Sequence, residues 1–118
     1  MPKSALTIYG IKACDTMKKA RDWLDKSEKP YAFHDYKTAG VSRQLLQSWS
    51  GRVGWEKLLN RTGTTFRKQS DADKADLNEE KAISLMLAQP SMIRRPVLET
   101  GTALIVGFKP ELYTEAFR

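Results

Sequence analysis

The chain opens on a short alternating run, Ala5 to Tyr9, with Leu6, Ile8 and Tyr9 as its larger apolar positions, and this predicts a strand that turns at Gly10. The period then becomes helical. Ala13, Met17, Ala20 and Leu24 step by four, three and four, and Trp23 widens the stripe. This predicts a helix from about Cys14 to Ser27, ended by Lys29-Pro30. Tyr31 to Tyr36 alternates again, with Tyr31, Phe33 and Asp35 on one face and Ala32, His34 and Tyr36 on the other. Two strands joined through a helix predict a parallel, right-handed βαβ unit.

Gly40 and Ser42 open the next helix, with Leu45, Leu46, Trp49 and Val53 as its stripe. Gly51 and Gly54 interrupt that pattern, and Trp55, Leu58 and Leu59 predict a short further turn. Asn60 to Asp76 is polar and aperiodic, with Phe66 its one large apolar residue. Asn78 then caps a helix through Gln89 that carries Ala82, Ile83, Leu85, Met86 and Leu87, and Pro90 stops it. Val97 to Thr100 and Ala103 to Val106, joined at Gly101-Thr102, predict an antiparallel hairpin. Lys109-Pro110-Glu111 opens a last helix to about Phe117. The order βαβ, helices, ββα predicts one α/β domain over 1–118. Its economical form is a mixed four-stranded sheet with helices on both faces. That is a thioredoxin-like fold, with its parts at about 1–38 and 90–118 and a helical insert at about 40–90.

The net charge is +6 and the pI about 9.6, which permits an anionic partner. Acids interrupt the basic positions, as in Lys18-Lys19-Ala20-Arg21-Asp22, and no long basic or basic-aromatic run occurs, so nucleic acid is not expected. One cysteine forms no internal disulfide, and the first ten residues read as neither signal peptide nor membrane span. The expectation is a cytoplasmic monomer that binds no metal, because no second Cys or additional His completes a zinc set. Asp71, Asp73 and Asp76 lack the glycine and glutamate of a calcium loop. Trp23, Trp49 and Trp55 fall on helical stripes and read as core.

The one cysteine, Cys14, falls where the first helix begins. Unpaired N–H groups and the helix dipole stabilise a thiolate there, and Lys12 and Lys18 lie close in sequence, while Asp15 opposes. The residues leave two roles open for it, a reactive thiolate or a small buried apolar group. Arg67, Arg94, Arg95 and Lys109 are either surface charges or holders of an oxyanion or carboxylate. Pro96 is placed to open the third strand, and its peptide bond is a candidate for the cis form. His34, mid-strand, reads as a packed residue.

Tyr9-Gly10, Cys14-Asp15-Thr16, Lys18-Lys19-Ala20-Arg21, Asp35-Tyr36, Gly54-Trp55, Leu58-Leu59-Asn60, Gly63-Thr64-Thr65 and Arg94-Arg95-Pro96-Val97 run over nearly the whole chain. Together they resemble the ArsC-related family, which includes glutaredoxin-coupled arsenate reductases, Spx regulators and YffB-like proteins, and they are closest to the last. The resemblance implies a thioredoxin-like fold and a nucleophilic Cys14. It puts Arg67 and Arg95 where the reductases bind their oxyanion, Pro96 at the cis proline, and Lys109 at a third arginine position. Gly10 and Lys18 stand where the reductases carry His and Arg, and Met17 stands where Spx members carry the second cysteine of a C-x-x-C pair.

Without that second sulfur, an external thiol must resolve any disulfide on Cys14. Glutathione is the expected co-substrate, with Lys18, Arg67, Arg94, Arg95, Pro96 and Lys109 as its binding set. The expected function is a glutathione-dependent thiol or oxyanion reductase acting on a protein disulfide or an oxyanion. The alternative is a non-enzymatic Spx-like regulator that binds a protein such as RNA polymerase, and the third reading is an arsenate reductase.

Overall fold

The computed structural model describes residues 6–12 and 14–117. Ala5 and Ala13, assigned above to the first strand and to the helical stripe, lie outside these residues. The chain divides into two compact units, one formed by the chain up to Ala39 and again from Arg95, the other by Gly40–Arg94. Among the described residues no helix is long and apolar enough to cross a membrane.

The first unit is built on β1 (Thr7–Gly10), α1 (Asp15–Lys26), β2 (Ala32–Asp35), β3 (Val97–Glu99), β4 (Leu104–Val106) and α8 (Pro110–Ala116). The strands form a mixed sheet in the order β2-β1-β3-β4. β1 runs parallel to β2 and antiparallel to β3, and β3 and β4 form the expected hairpin. Register puts Phe33, Ile8, Leu98 and Ile105 in one row across the sheet. Ile8 and Leu98 from this row share a buried cluster with Met17, Ala20 and Leu24 of α1 and Tyr113 of α8. Trp23 adds a T-shaped contact to Tyr113 at 5.4 Å. Alternation places Tyr9, His34, Val97 and Val106 on the opposite face.

α1 ends before Pro30, because Glu28 takes a left-handed φ of 57°. The Lys29 N–H then closes on Leu24 O at 2.9 Å. The second strand is shorter than the alternation predicts. Asp35 Oδ1 accepts the Lys37 N–H at 2.9 Å, and this Asx turn carries Tyr36 out of the strand into the turn α2 (Tyr36–Ala39).

In the second unit α3 (Arg43–Val53) is capped by Ser42 and runs through Gly51, ending only at Gly54 with φ 91°. Gly51 adopts helical backbone and so does not interrupt the helix as its composition suggests. The turn α4 (Trp55–Leu58) follows, and α7 (Glu79–Ala88) is capped by Asn78. The polar stretch between α4 and α7 contains two helical turns, α5 (Thr64–Arg67), which buries Phe66, and α6 (Asp71–Lys74), capped by Ser70. Single caps and one apolar anchor hold these turns, and neither produces a period that a sequence reading detects. Leu46, Trp49, Leu58, Leu59, Met86 and Ile93 are all fully buried.

One close approach fixes α1 on the sheet. A Cβ built on Gly10 would lie 2.2 Å from Met17 Sδ and 2.9 Å from its Cε. Gly10→Ala therefore destabilises the chain by about 1–3 kcal/mol, as overpacking does. Urea unfolding measures this, and most of the loss disappears in a Met17→Ala background. Equal losses in both backgrounds would show that the two side chains do not compete for the space.

Candidate active site

Cys14 is the N-cap residue of α1, with extended φ and ψ of −148° and 126°. Its carbonyl accepts the Lys18 N–H at 3.0 Å, and its own N–H donates to Lys12 O at 3.1 Å. The side chain is partly buried against the α1–sheet cluster. The side chain makes no cap hydrogen bond within ordinary limits, yet the Thr16 and Met17 N–H groups still favour its charged form.

Two groups of forces meet on that sulfur. Burial pushes the thiol up. The Met17 N–H, the hydrogen-bonding and charged side chain of Arg95, and the Thr16 N–H act together in the other direction, and the net pKa is lowered. Asp15, expected to oppose this, is exposed. Water screens its charge, and it is not among the groups that set the titration.

Arg95 enters with the strand that Pro96 opens, and the Arg95–Pro96 peptide is cis, as its position suggests. Pro96 is buried, and its carbonyl accepts the Gly107 N–H at 2.8 Å. The structure therefore brings Cys14 and Arg95 together. Lys18 is exposed on α1 and lines a groove of about 300 Å³ with Lys12, Arg21, Asp22 and Asp25.

The remaining predicted cations have other settings. Arg94 is engaged in the second unit, where its N–H donates to Leu58 O at 2.7 Å and its Nε to Lys57 O at 3.0 Å. Arg67 closes α5 in that same unit and is exposed. Lys109 is the exposed N-cap of α8, and its carbonyl accepts the N–H groups of Leu112 and Tyr113.

Tyr36 is assigned by sequence only to a face of the second strand and to the Asp35-Tyr36 motif. It is 2% exposed, and its hydroxyl has no hydrogen-bond partner among the described residues. Burial, with Tyr9 adding to it and Arg95 opposing, raises its pKa far beyond the phenol range, so it stays neutral. The ring of His34 lies 4.9 Å from that of Tyr9 and 6.4 Å from that of Tyr36. Arg95 is thus felt by both Cys14 and Tyr36. The available signal was Asp35-Tyr36 at the end of the second strand, but nothing local shows that Tyr36 turns inward.

A mixed four-stranded sheet with a cysteine where β1 hands over to α1 is the thioredoxin-like arrangement, and the comparisons narrow the class. The ArsC family profile matches residues 9–116, and the chain belongs to that family. The solved YffB protein is 60% identical, with a TM-score of 0.93, over 96% of this chain and 99% of its own. An arsenate reductase (ArsC) related protein from Brucella melitensis is 50% identical, with a TM-score of 0.77, over 100% and 98%. An uncharacterized protein of Haemophilus influenzae is 38% identical over 95% of this chain and 98% of its own. The global transcriptional regulator Spx of Streptococcus pyogenes is 29% identical over 90% and 80%.

Cys14 titrates below the ordinary thiol value, and Arg95→Ala moves it upward, because the sulfur loses a donor and a cation together. The pH profile of iodoacetamide alkylation reads both, and a profile that the substitution leaves unmoved would separate Arg95 from the sulfur. The sign for stability follows. A lowered folded pKa means that Cys14 contributes stability above the unfolded thiol value, and that contribution is lost as pH falls through the folded value. A Cys14→Ser chain lacks this dependence.

Proposed function

We propose that this chain is a thiol-based reductase that uses glutathione in the cytoplasm, with Cys14 as nucleophile. The observation that carries the reading is a single sulfur at the head of α1, held toward the thiolate by Arg95 and two first-turn N–H groups. Met17, three residues on, is fully buried. A disulfide formed on Cys14 therefore has no partner within the helix turn and needs an external thiol.

The cycle balances with glutathione alone. The Cys14 thiolate attacks the glutathione sulfur of a mixed disulfide; that S–S bond breaks, and the substrate leaves as a thiolate that takes a proton from water. A second glutathione thiolate attacks the sulfur bound to Cys14, forming glutathione disulfide and returning Cys14 as thiolate. One free glutathione is consumed per turnover: it joins the glutathionyl group that the mixed disulfide already carried, giving glutathione disulfide, and the substrate sulfur is reduced to the thiol. Arg95 serves both steps by favouring the thiolate as nucleophile and as leaving group. Arg67 and Lys109 enter as binders of the anionic partner through the family pattern, and Lys18, which stands where that pattern has Arg, through its place in the first turns of α1.

A second reading draws on the similarity to Spx. In it the chain docks on a large protein such as RNA polymerase, and Cys14 senses oxidation. Arsenate reduction stands below both readings. Gly10 holds the place of a reductase histidine, and Met17 fills the space that such a side chain needs.

Turnover of a glutathionylated peptide is the test. Cys14→Ser abolishes it while the unfolding midpoint stays near that of the parent, and a serine chain with full turnover would sink the nucleophile role. Arg67→Ala weakens saturation by glutathione. A stoichiometric complex with RNA polymerase that survives Cys14→Ser, together with no turnover in the parent, would favour the second reading.

A further inference from the structure

We infer that the groove along α1 beyond Cys14 is a charge-sorted subsite for the amino-acid end of a peptide thiol, with Arg21, Lys12 and Lys18 taking the carboxylate and Asp22 and Asp25 the ammonium. This rests on the glutathione reading above and names the part of that molecule the chain recognises.

The groove of about 300 Å³ is lined by these five charged residues. Four of them lie on α1 at positions 18, 21, 22 and 25, which is the spacing of one helix face. Cys14, the N-cap four residues before Lys18, continues the same row of positions toward the N-terminus. Lys18 lies one turn beyond Cys14, about 6 Å along the axis, and Asp22 about 12 Å. A ligand joined to Cys14 through sulfur and laid along α1 meets cations first and acids further on.

Arg21 is the fixed point of the set. Its Nε donates to Tyr31 Oη at 3.2 Å, and its Cζ stands 4.8 Å over the Phe33 ring. Both partners come from the β2 region, so the guanidinium is held by tertiary contacts. Asp25, one turn on, sits at the spacing that pairs charges on a lone helix. Arg21 engages Tyr31 and Phe33 instead. With Nε and the ring face in use, the donors that remain on this guanidinium are its two Nη groups, the edge that grips a carboxylate by two parallel hydrogen bonds.

The sorting of signs selects the ligand. A bare oxyanion calls for cations gathered round one point, and a neutral thiol uses none of these charges. An α-amino acid end carries a carboxylate and an ammonium on the same carbon, so it needs a cation and an acid side by side. Arg21 and Asp22 are adjacent in the chain and line the same groove.

The single cysteine makes the test direct, because intact mass reports one adduct per chain. The rate of Cys14 adduct formation is measured with glutathione disulfide and with bis(2-hydroxyethyl) disulfide, and their ratio cancels changes in thiol reactivity. The wild-type ratio is well above one. Arg21→Ala lowers it about tenfold, in line with the loss of a charged hydrogen-bonded pair. Asp22→Asn with Asp25→Asn lowers it about threefold, as expected for partly exposed charges. Desamino glutathione disulfide, which lacks the ammonium, shows the same deficit with the wild type and no further deficit with the double variant.

If Arg21→Ala fails to fold, the acid pair and the desamino probe still decide. A wild-type ratio near one removes the glutathione reading and this inference with it. A high ratio that no variant lowers, or acid and desamino losses that add, keeps glutathione and overturns the groove.

Discussion

Met17 packed over Gly10 is the contact on which the site depends. The first strand ends at a residue without a side chain, and the first helix fills that space with a fully buried thioether. This seats the first turn of α1 on the end of β1, and the sulfur of Cys14 inherits its position from that turn. The same contact excludes two chemistries. A histidine at position 10 has no room beside Met17, and the third residue after Cys14 is committed to the core as a thioether, where it cannot serve as a second thiol.

With the helix end fixed, Arg95 settles the state of the sulfur. Burial alone would raise the thiol, and it is the largest single influence. The opposing groups come from two sources far apart in sequence, the first-turn N–H groups of α1 and a guanidinium at the entry to β3. The sheet order puts β3 directly beside β1, which is how residue 95 comes to meet residue 14. The buried hydroxyl of Tyr36, which also feels Arg95, stays a neutral phenol, so it does not cancel the guanidinium charge.

Much of this was legible in the chain. Strand alternation, the helical stripe through Met17, Ala20 and Leu24, and the Ser42 and Asn78 caps are local signals, and the elements follow them closely. The cis bond before Pro96 and the cap position of Cys14 were equally readable, because each depends on its immediate neighbours. The missed features are tertiary. Tyr36 leaves its strand through an Asx turn and becomes buried. The two turns between α4 and α7 are too short for a period to show. Arg94 and Arg95 look equivalent in sequence, yet one is spent on backbone carbonyls of the Gly40–Arg94 unit and the other reaches the thiol. Arg94 closes one compact unit and Arg95 resumes the other, and nothing local in the sequence marks that boundary.

The distribution of charge bears on what such a sulfur can use. A tetrahedral oxyanion is held best where several donors converge on one point, and one guanidinium at Cys14 supplies only part of that requirement. Two further cations of this unit, Lys18 and Arg21, line a groove along α1 with Asp22 and Asp25 beyond them, and Arg21 is fixed there by an aromatic ring and a phenol. Charges extended along a helix read extended ligands. A ligand that binds through its sulfur and is recognised through its polar end also solves the resolving problem set by Met17, because the incoming thiol and the group left on Cys14 can be of the same kind. Under the proposed reading, a third position after Cys14 occupied by Met17 and a polar groove along α1 belong together, because an external thiol must supply the second thiol that the chain does not.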